Sequence, residues 1–485
     1  MMVAAMASSF LIGVTFYEVG GYRGRRSCTT RDLSHTPCSI EHILPMLSSM
    51  SDASSRPNTE PVGRPPSSAS NARNTVIPLE RSELDALMER ARREGISRRD
   101  LMRIFAVGGV GAVFAACERQ PASDSSGAAS SELGVADVPW VKDAGPFIEH
   151  PTNLETRLEL LDGVITPNEL FFVRNHAPTP RIDASEYRLR VEGDAVDEAI
   201  ELSMNDLRAL PSQSVVAYLE CGGNWRGLWE SVVGRAASGG QWGTGGISCA
   251  EWSGPTLASV LGLAGVRSNA VDVDLIGLDD GDFSRPMPIE RALDPTTILA
   301  HTMNGVDLPP DHGFPIRGVV PGWVGSSSVK WLGRIVVTSG KVWSRNNLTS
   351  YVLVGDDWPA DEYAPADGGP ITTGVVKSAL ALPRPAELQP GSNSLSGFAY
   401  SPNGPVQRVE WSADAGVTWQ AARILDPVLP HAWQRFQFEW NAPPGSHTLL
   451  TRATDAAGQS QPDEIAYNSK GYLLNIVLPH PVTVG

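Results

Sequence analysis

The chain has 485 residues, 41% of them hydrophobic and 19% charged, with 47 Gly, 38 Pro and 13 Trp. That length leaves room for two or three domains around at least one large core, which excludes a minimal disulfide scaffold, a single small module and wholesale disorder. A formal charge of −15 argues against general affinity for nucleic acid or anionic membranes, and five sparse Cys without a C-x-x-C pair indicate neither a disulfide framework nor a structural zinc site.

Residues 1–87 are rich in Ser, Pro, Arg and Asn with little apolar periodicity, and read as a disordered or non-native leader; Met88 would serve as a start with an ordinary basic segment behind it. Ser97-Arg98-Arg99-Asp100-Leu101-Met102-Arg103 then runs into the apolar stretch Ile104–Ala116, which ends at Cys117. Residues 88–117 thus resemble a twin-arginine export signal. The stretch has 13 residues, too few to cross a bilayer as a helix, and seven of them are Gly or Ala. The resemblance implies delivery of an already folded protein to the periplasm. Phe114-Ala115-Ala116-Cys117 also permits lipidation, so a lipid anchor at Cys117 is an open expectation. Residues 118–138 form a Pro-, Ser- and Ala-rich linker. The first 117 residues hold 14 Lys and Arg against 11 Asp and Glu, leaving 25 against 43 beyond them, so the remainder carries −18.

From residue 139 to 370, short apolar runs such as Tyr187–Val191, Val215–Leu219, Val271–Leu275 and Arg334–Val337 alternate with Gly/Pro turns. Helical pattern is confined to segments like Ser203–Ala209 and Thr256–Leu261, which predicts an α+β domain. Residues 371–485 change texture: Gly397–Tyr400, Val406–Ser412, Trp433–Trp440 and His447–Asp455 alternate apolar and polar positions between turns such as Asp414-Ala415-Gly416, which predicts an immunoglobulin-like β-sandwich.

Three blocks carry chemistry: Thr166–His176 (TPNELFFVRNH), Leu219–Arg226 (LECGGNWR), and a third running from Met303-Asn304-Gly305 through His312-Gly313-Phe314-Pro315-Ile316-Arg317 to Lys330-Trp331-Leu332-Gly333-Arg334. Cys221 follows an apolar run and opens a Gly-Gly turn, where backbone can approach a large cofactor closely. A thiolate is also a soft, strongly donating ligand for a transition metal. In order, spacing and uninterrupted matches the blocks resemble the sulfite oxidase family of molybdenum enzymes, and Val409–Trp419 (VEWSADAGVTW) resembles that family's dimerisation sandwich. The resemblance covers the chain from about Asn153 to Leu478.

It implies a mononuclear molybdenum–molybdopterin centre with Cys221 as the protein's metal ligand. It further implies that His312, Arg317 and Lys330 bind the pterin phosphate, while Arg174, Asn175, His176, Asp279, Ser328 and Val329 contact the rest of the cofactor. Arg174 and Arg226 match substrate-pocket arginines, Trp242 a pocket-wall tryptophan, and Tyr351 the tyrosine that hydrogen-bonds near the reacting oxygen. Cys249 lies where the family needs no Cys and reads as structural. Two positions depart from the pattern: Ser327 stands where many members have Arg, and Lys470 replaces an Arg contributed by the second domain. Lys keeps the charge without the planar fork, so the pocket's grip on a small dianion is in question.

The expected activity is oxidation of sulfite, or a related small sulfur oxyanion, to sulfate by oxygen transfer. No C-x-x-C-H occurs for a c-type haem and no added domain for a b-type one, so electrons are expected to leave to a separate c-type cytochrome. A homodimer is expected from the sandwich. A sulfane-sulfur dehydrogenase or a sulfoxide reductase would keep Cys221 and the pterin contacts while altering the anion pocket. An exported immunoglobulin-like binding module explains the strands but not Cys221, His312, Arg317 and Lys330 together.

Overall fold

The structure, a computed structural model, describes residues 140–485 apart from Asp282. The readings made for residues 1–87, 88–117 and 118–138, Cys117 included, lie outside the described residues.

The first part is mostly sheet with few helices. Its main sheet has five strands in the order Ile200–Ser203, Arg188–Glu192, Leu332–Thr338, Asp272–Gly277 and Ser284–Pro288. Arg188–Glu192 and Leu332–Thr338 run parallel, and the other neighbours antiparallel. Alternation dictates which face is buried: Leu189, Val191, Val273, Leu275, Ile335 and Val337 all enter one core. The helix Leu257–Leu263 covers them with Leu257, Val260 and Leu261, a helical spacing. Both segments expected to be helical start at a side-chain cap. Ser203 accepts from the Asp206 amide in a capping box ahead of Met204–Ala209, and the Thr256 hydroxyl accepts from the Ser259 amide.

A second sheet pairs Ser212–Glu220 with Ile247–Pro255 along nine consecutive positions, ending at Glu220 opposite Ile247. The sequence reading did not single out Ile247–Pro255. Its burial is nearly continuous rather than alternating, so no period-2 signal marks it. Between these strands residues 221–246 form an excursion, and its first residue is Cys221.

The last part consists of two packed sheets. One runs Lys377–Leu380, Gly391–Tyr400, Gln434–Ala442, Arg423–Ile424; the other runs Ala386–Leu388, His480–Val484, Gly445–Asp455, Val406–Ser412, Gln420–Ala421. Leu395, Phe436 and Phe438 from the first meet Val409, Trp411 and Leu449 from the second in a shared core. This is a two-layer sandwich. A separate cluster joins it to the first part, with Trp433 and Phe398 packed alongside Tyr218, Trp225 and Cys249. Cys249 is fully buried there, and burial pushes its thiol pKa up. Its packing is that of a core side chain.

Candidate active site

Where Ser212–Glu220 ends, the chain turns sharply and its amides hold the turn in place. Cys221 N–H donates to the Gly246 carbonyl (2.9 Å), and the Asn224 amide returns to the Cys221 carbonyl (2.8 Å). The backbone before the turn leaves room only for glycine opposite it: a Cβ on Gly325 would lie 2.8 Å from the Glu220 carbonyl oxygen. Cys221, 7% exposed, thereby reaches a cleft that opens to solvent. The same cleft is lined by Arg174, Asn175, His176, Asp279, His312, Arg317, Ser328, Val329, Lys330 and Tyr351. Eleven of the fourteen residues expected from the sequence therefore share one wall system.

Two cations stand together, Arg317 buried and Lys330 half-buried. Arg317 donates to the carbonyls of His312 (3.0 Å) and Ser328 (2.9 Å) and sits 4.9 Å from the Trp252 ring centroid. Lys330 donates to the Asn175 side-chain oxygen and to the Asp311 carbonyl (2.9 Å). Burial is the first cause that lowers both pKa values, bringing Arg317 to about 9 and Lys330 well below its ordinary range; Arg317's charge lowers Lys330 further. A third cation, Lys142, was not anticipated. Its ammonium donates to the carbonyls of Asn168 and Phe171 (2.8 Å each) and to Nε2 of His312 (2.7 Å). When the Lys142 amine is protonated it has no lone pair, so Nε2 then accepts and the His312 proton resides on Nδ1. Burial, then Lys142, Lys330 and Arg317, keep His312 neutral. The Asp311 carboxylate fastens this strap by accepting the amides of Val141 (2.9 Å) and Lys142 (2.8 Å) and the Thr179 hydroxyl (2.6 Å).

Another wall is aromatic. The Tyr351 hydroxyl lies 3.0 Å from Nε2 of His176, and His176 stacks on Phe283 at 4.6 Å. Burial, helped by Arg174, Lys330 and Arg345, lowers His176 to about 3, and burial raises Tyr351 to about 12, so both are neutral across the physiological range. Tyr351 also stacks on Tyr472 of the sandwich part at 5.4 Å; Arg285 caps the outer face of the pair at 5.2 Å from Tyr351 and Arg226 at 4.5 Å from Tyr472. Trp331 and Tyr351, both cleft-lining, have φ of +49° and +50°, and Trp225 beyond the Cys221 turn has +78°. Each such non-Gly residue costs on the order of 1–3 kcal/mol, and two of the six described non-Gly residues with positive φ line the cleft.

Three expected residues lie outside the cleft lining. Arg226 is turned to the carbonyls of Lys470 (2.7 Å) and Gly240 (3.3 Å) beneath the Tyr472 ring. Trp242 stands behind Phe172, ring centroids 6.1 Å apart. Lys470 donates its ammonium to the Thr349 carbonyl, two residues from Tyr351. Ser327 is fully buried and its hydroxyl has no partner.

These residues fit a molybdenum–pterin cofactor on two observations. A soft thiol reaches the cleft from a tight Gly-Gly turn, and buried Arg317 and half-buried Lys330 hydrogen-bond to neutral oxygens, leaving positive charge for an anion to answer. Lys142, Asp311 and Tyr472 escaped the sequence reading because no local pattern marks them. Asp311 alone had a signal, its place inside the His312 block.

Comparison with known proteins points to molybdopterin oxidoreductases. A family model described as "Oxidoreductase molybdopterin binding domain" matches residues 176–345, and one described as "Mo-co oxidoreductase dimerisation domain" matches residues 371–484. Sulfite oxidase from Gallus gallus is 38% identical over 348 residues, covering 67% of this chain and 74% of that protein. The mitochondrial sulfite oxidase of Homo sapiens is 37% identical, and the match spans 67% of this chain but 63% of the human protein. Nitrate reductase [NADH] 1 from Phaseolus vulgaris is 30% identical over 69% of this chain and 42% of its own length. Among solved structures, the sulfane dehydrogenase SoxCD from Paracoccus pantotrophus has a TM-score of 0.62 and 28% identity, covering 72% of this chain and 90% of that one.

Proposed function

Because this chain belongs to the sulfite oxidase family of molybdenum–pterin oxidoreductases, we propose that it oxidises sulfite or a related small sulfur oxyanion. What carries the reading is the convergence of Cys221, Arg317 and Lys330 on one cleft although they are far apart in sequence. A molybdenum–pterin group bound there would supply oxygen-atom transfer and two-electron redox chemistry.

The chain's own residues would do the remaining work. Cys221 supplies the metal thiolate. Arg317, Lys330 and the Nδ1–H of His312 hold the pterin phosphate, with Asn175, His176, Asp279, Ser328 and Val329 along the rest of the cofactor. Arg174 offers the substrate anion a cation, and Tyr351, neutral and held by His176, keeps a hydroxyl proton available for a hydrogen bond to substrate oxygen. Phe171 and Phe172, backed by Trp242, exclude water from that side. Arg226 and Lys470 reinforce the rim from behind Tyr472.

The proposal extends to the parts that the comparisons leave open. The molybdopterin domain occupies residues 139–370 and an immunoglobulin-like sandwich of residues 371–485 forms a homodimer. Residues 88–117 direct export to the periplasm by the twin-arginine route, with Cys117 a possible lipid attachment point, and electrons pass to a separate c-type cytochrome. Steady-state reduction of cytochrome c by sulfite, with molybdenum-loaded protein, tests the reading; no sulfite-dependent reduction would reject it.

A second reading has its own support. Ser327 brings no charge and the Lys470 ammonium is engaged by the Thr349 carbonyl, so the cleft holds fewer free cations than a dianion favours. A sulfane-sulfur substrate, of the kind named for the Paracoccus protein, would suit that pocket. Lys470→Ala discriminates: in the sulfite reading it raises the apparent KM roughly threefold to tenfold with kcat little changed, the signature of lost uniform binding by a rim charge. An unchanged KM removes Lys470 from the pocket.

A further inference from the structure

Directly behind the Cys221 turn lies a buried ion pair that neither the phosphate site nor the substrate wall uses. Glu220 precedes Cys221 and is 5% exposed; Lys377, in the sandwich part, is 1% exposed. Three donors converge on one carboxylate oxygen of Glu220: Lys377 Nζ at 2.7 Å, the Tyr400 hydroxyl at 2.9 Å and the Asn224 side-chain amide at 2.9 Å. Lys377 and Tyr400 are directly opposed in the antiparallel pairing of Lys377–Leu380 with Gly391–Tyr400, so sheet register delivers both side chains to the same place.

Asn224 carries the restraint forward to the thiol. Its side-chain oxygen accepts from the Gly246 amide (2.9 Å), its own amide donates to the Cys221 carbonyl, and Gly246 in turn accepts from the Cys221 amide. The bonds that fix Cys221 itself within the turn therefore pass through Asn224 and Gly246, groups that Glu220, and hence Lys377, restrain. A buried ion pair is weak evidence for stability, because well-packed apolar residues in its place are often as stable or more so. Its better-attested use is to fix register, and here the register is that of the candidate metal ligand.

We propose that Lys377 is a positioning residue for the metal-binding turn: from the sandwich part it clamps Glu220 and Asn224, orients Cys221, and balances the carboxylate charge beside the thiolate. The inference rests on the reading of Cys221 as the molybdenum ligand. It also gives the sandwich a role in the redox centre beyond holding two subunits together.

Holoenzyme variants test it through melting temperature, thiolate-to-metal absorption and the midpoint potential of the metal. Lys377→Met leaves a buried carboxylate unbalanced; it is expected to lower the melting temperature by roughly 5–10 °C, shift the absorption band and lower the potential. Glu220→Gln combined with Lys377→Met removes both charges and is expected to recover most of the melting temperature and the wild-type potential. An unchanged melting temperature in Lys377→Met overturns the clamp. A lowered one with band and potential unmoved reduces the pair to domain adhesion and overturns the positioning role. Wild-type protein with neither molybdenum nor the band would instead sink the assignment of Cys221, and this inference with it.

Discussion

Cys221→Ser is expected to lose turnover by about a thousandfold or more, which corresponds to at least about 4 kcal/mol of transition-state stabilisation. Serine is close in size but offers a hard oxygen that stays protonated at neutral pH, where the metal requires a soft, deprotonated sulfur. The fold should survive. The turn is held by backbone bonds from Cys221 to Gly246 and Asn224 and by Glu220 beneath it, none of which uses the sulfur. The measurement pairs kcat and molybdenum content with circular dichroism. Wild-type-like activity in this variant would remove Cys221 from the centre.

Arg317→Ala is expected to act on cofactor retention rather than on the chemical step. A buried, charge-assisted contact to a phosphate is worth roughly 2–4 kcal/mol, so the variant should release its pterin about 30- to 1000-fold more readily. Lys330 cannot make up the loss alone, since two of its three ammonium protons already go to Asn175 and the Asp311 carbonyl. The same cluster predicts how cofactor-free protein responds to pH. Lys142 falls from its ordinary 10.5 to about 7, mainly through burial. Between those values the unfolded chain binds more protons than the folded one, so stability should rise with pH from about 7 and be lowest below it. Inorganic phosphate should raise the melting temperature of the cofactor-free wild type and do so far less for Arg317→Ala. Equal pterin retention and equal phosphate response in the two proteins would refute the phosphate assignment.

Much of the chemistry was readable in short stretches of sequence. Cys221 stands out because a thiol opens a Gly-Gly turn just after an apolar run, and His312, Arg317 and Lys330 stand out through the resemblance of their block to the sulfite oxidase family. The strands around them follow from period-2 alternation, and the two main helices from Ser203 and Thr256 at their starts. Ile247–Pro255 escaped because burial on both faces erases that alternation.

What the sequence by itself determined, then, is the inventory: a family, a candidate metal-binding thiol, a set of candidate phosphate-binding cations and several of the strands that carry them. Which groups meet was decided only by the tertiary structure. Lys142 reaches His312 across 170 positions and Lys377 reaches Glu220 across 157, while the Tyr472 ring from the sandwich covers Tyr351 and Arg226. Adjacent residues advertise themselves through local geometry, whereas partners this distant are matched by sheet register and the docking of one part on the other. Neither of those leaves a trace in neighbouring letters, because the free energy that selects them comes from burying apolar surface, and from pairing the charges carried in with it, that only the folded chain brings together.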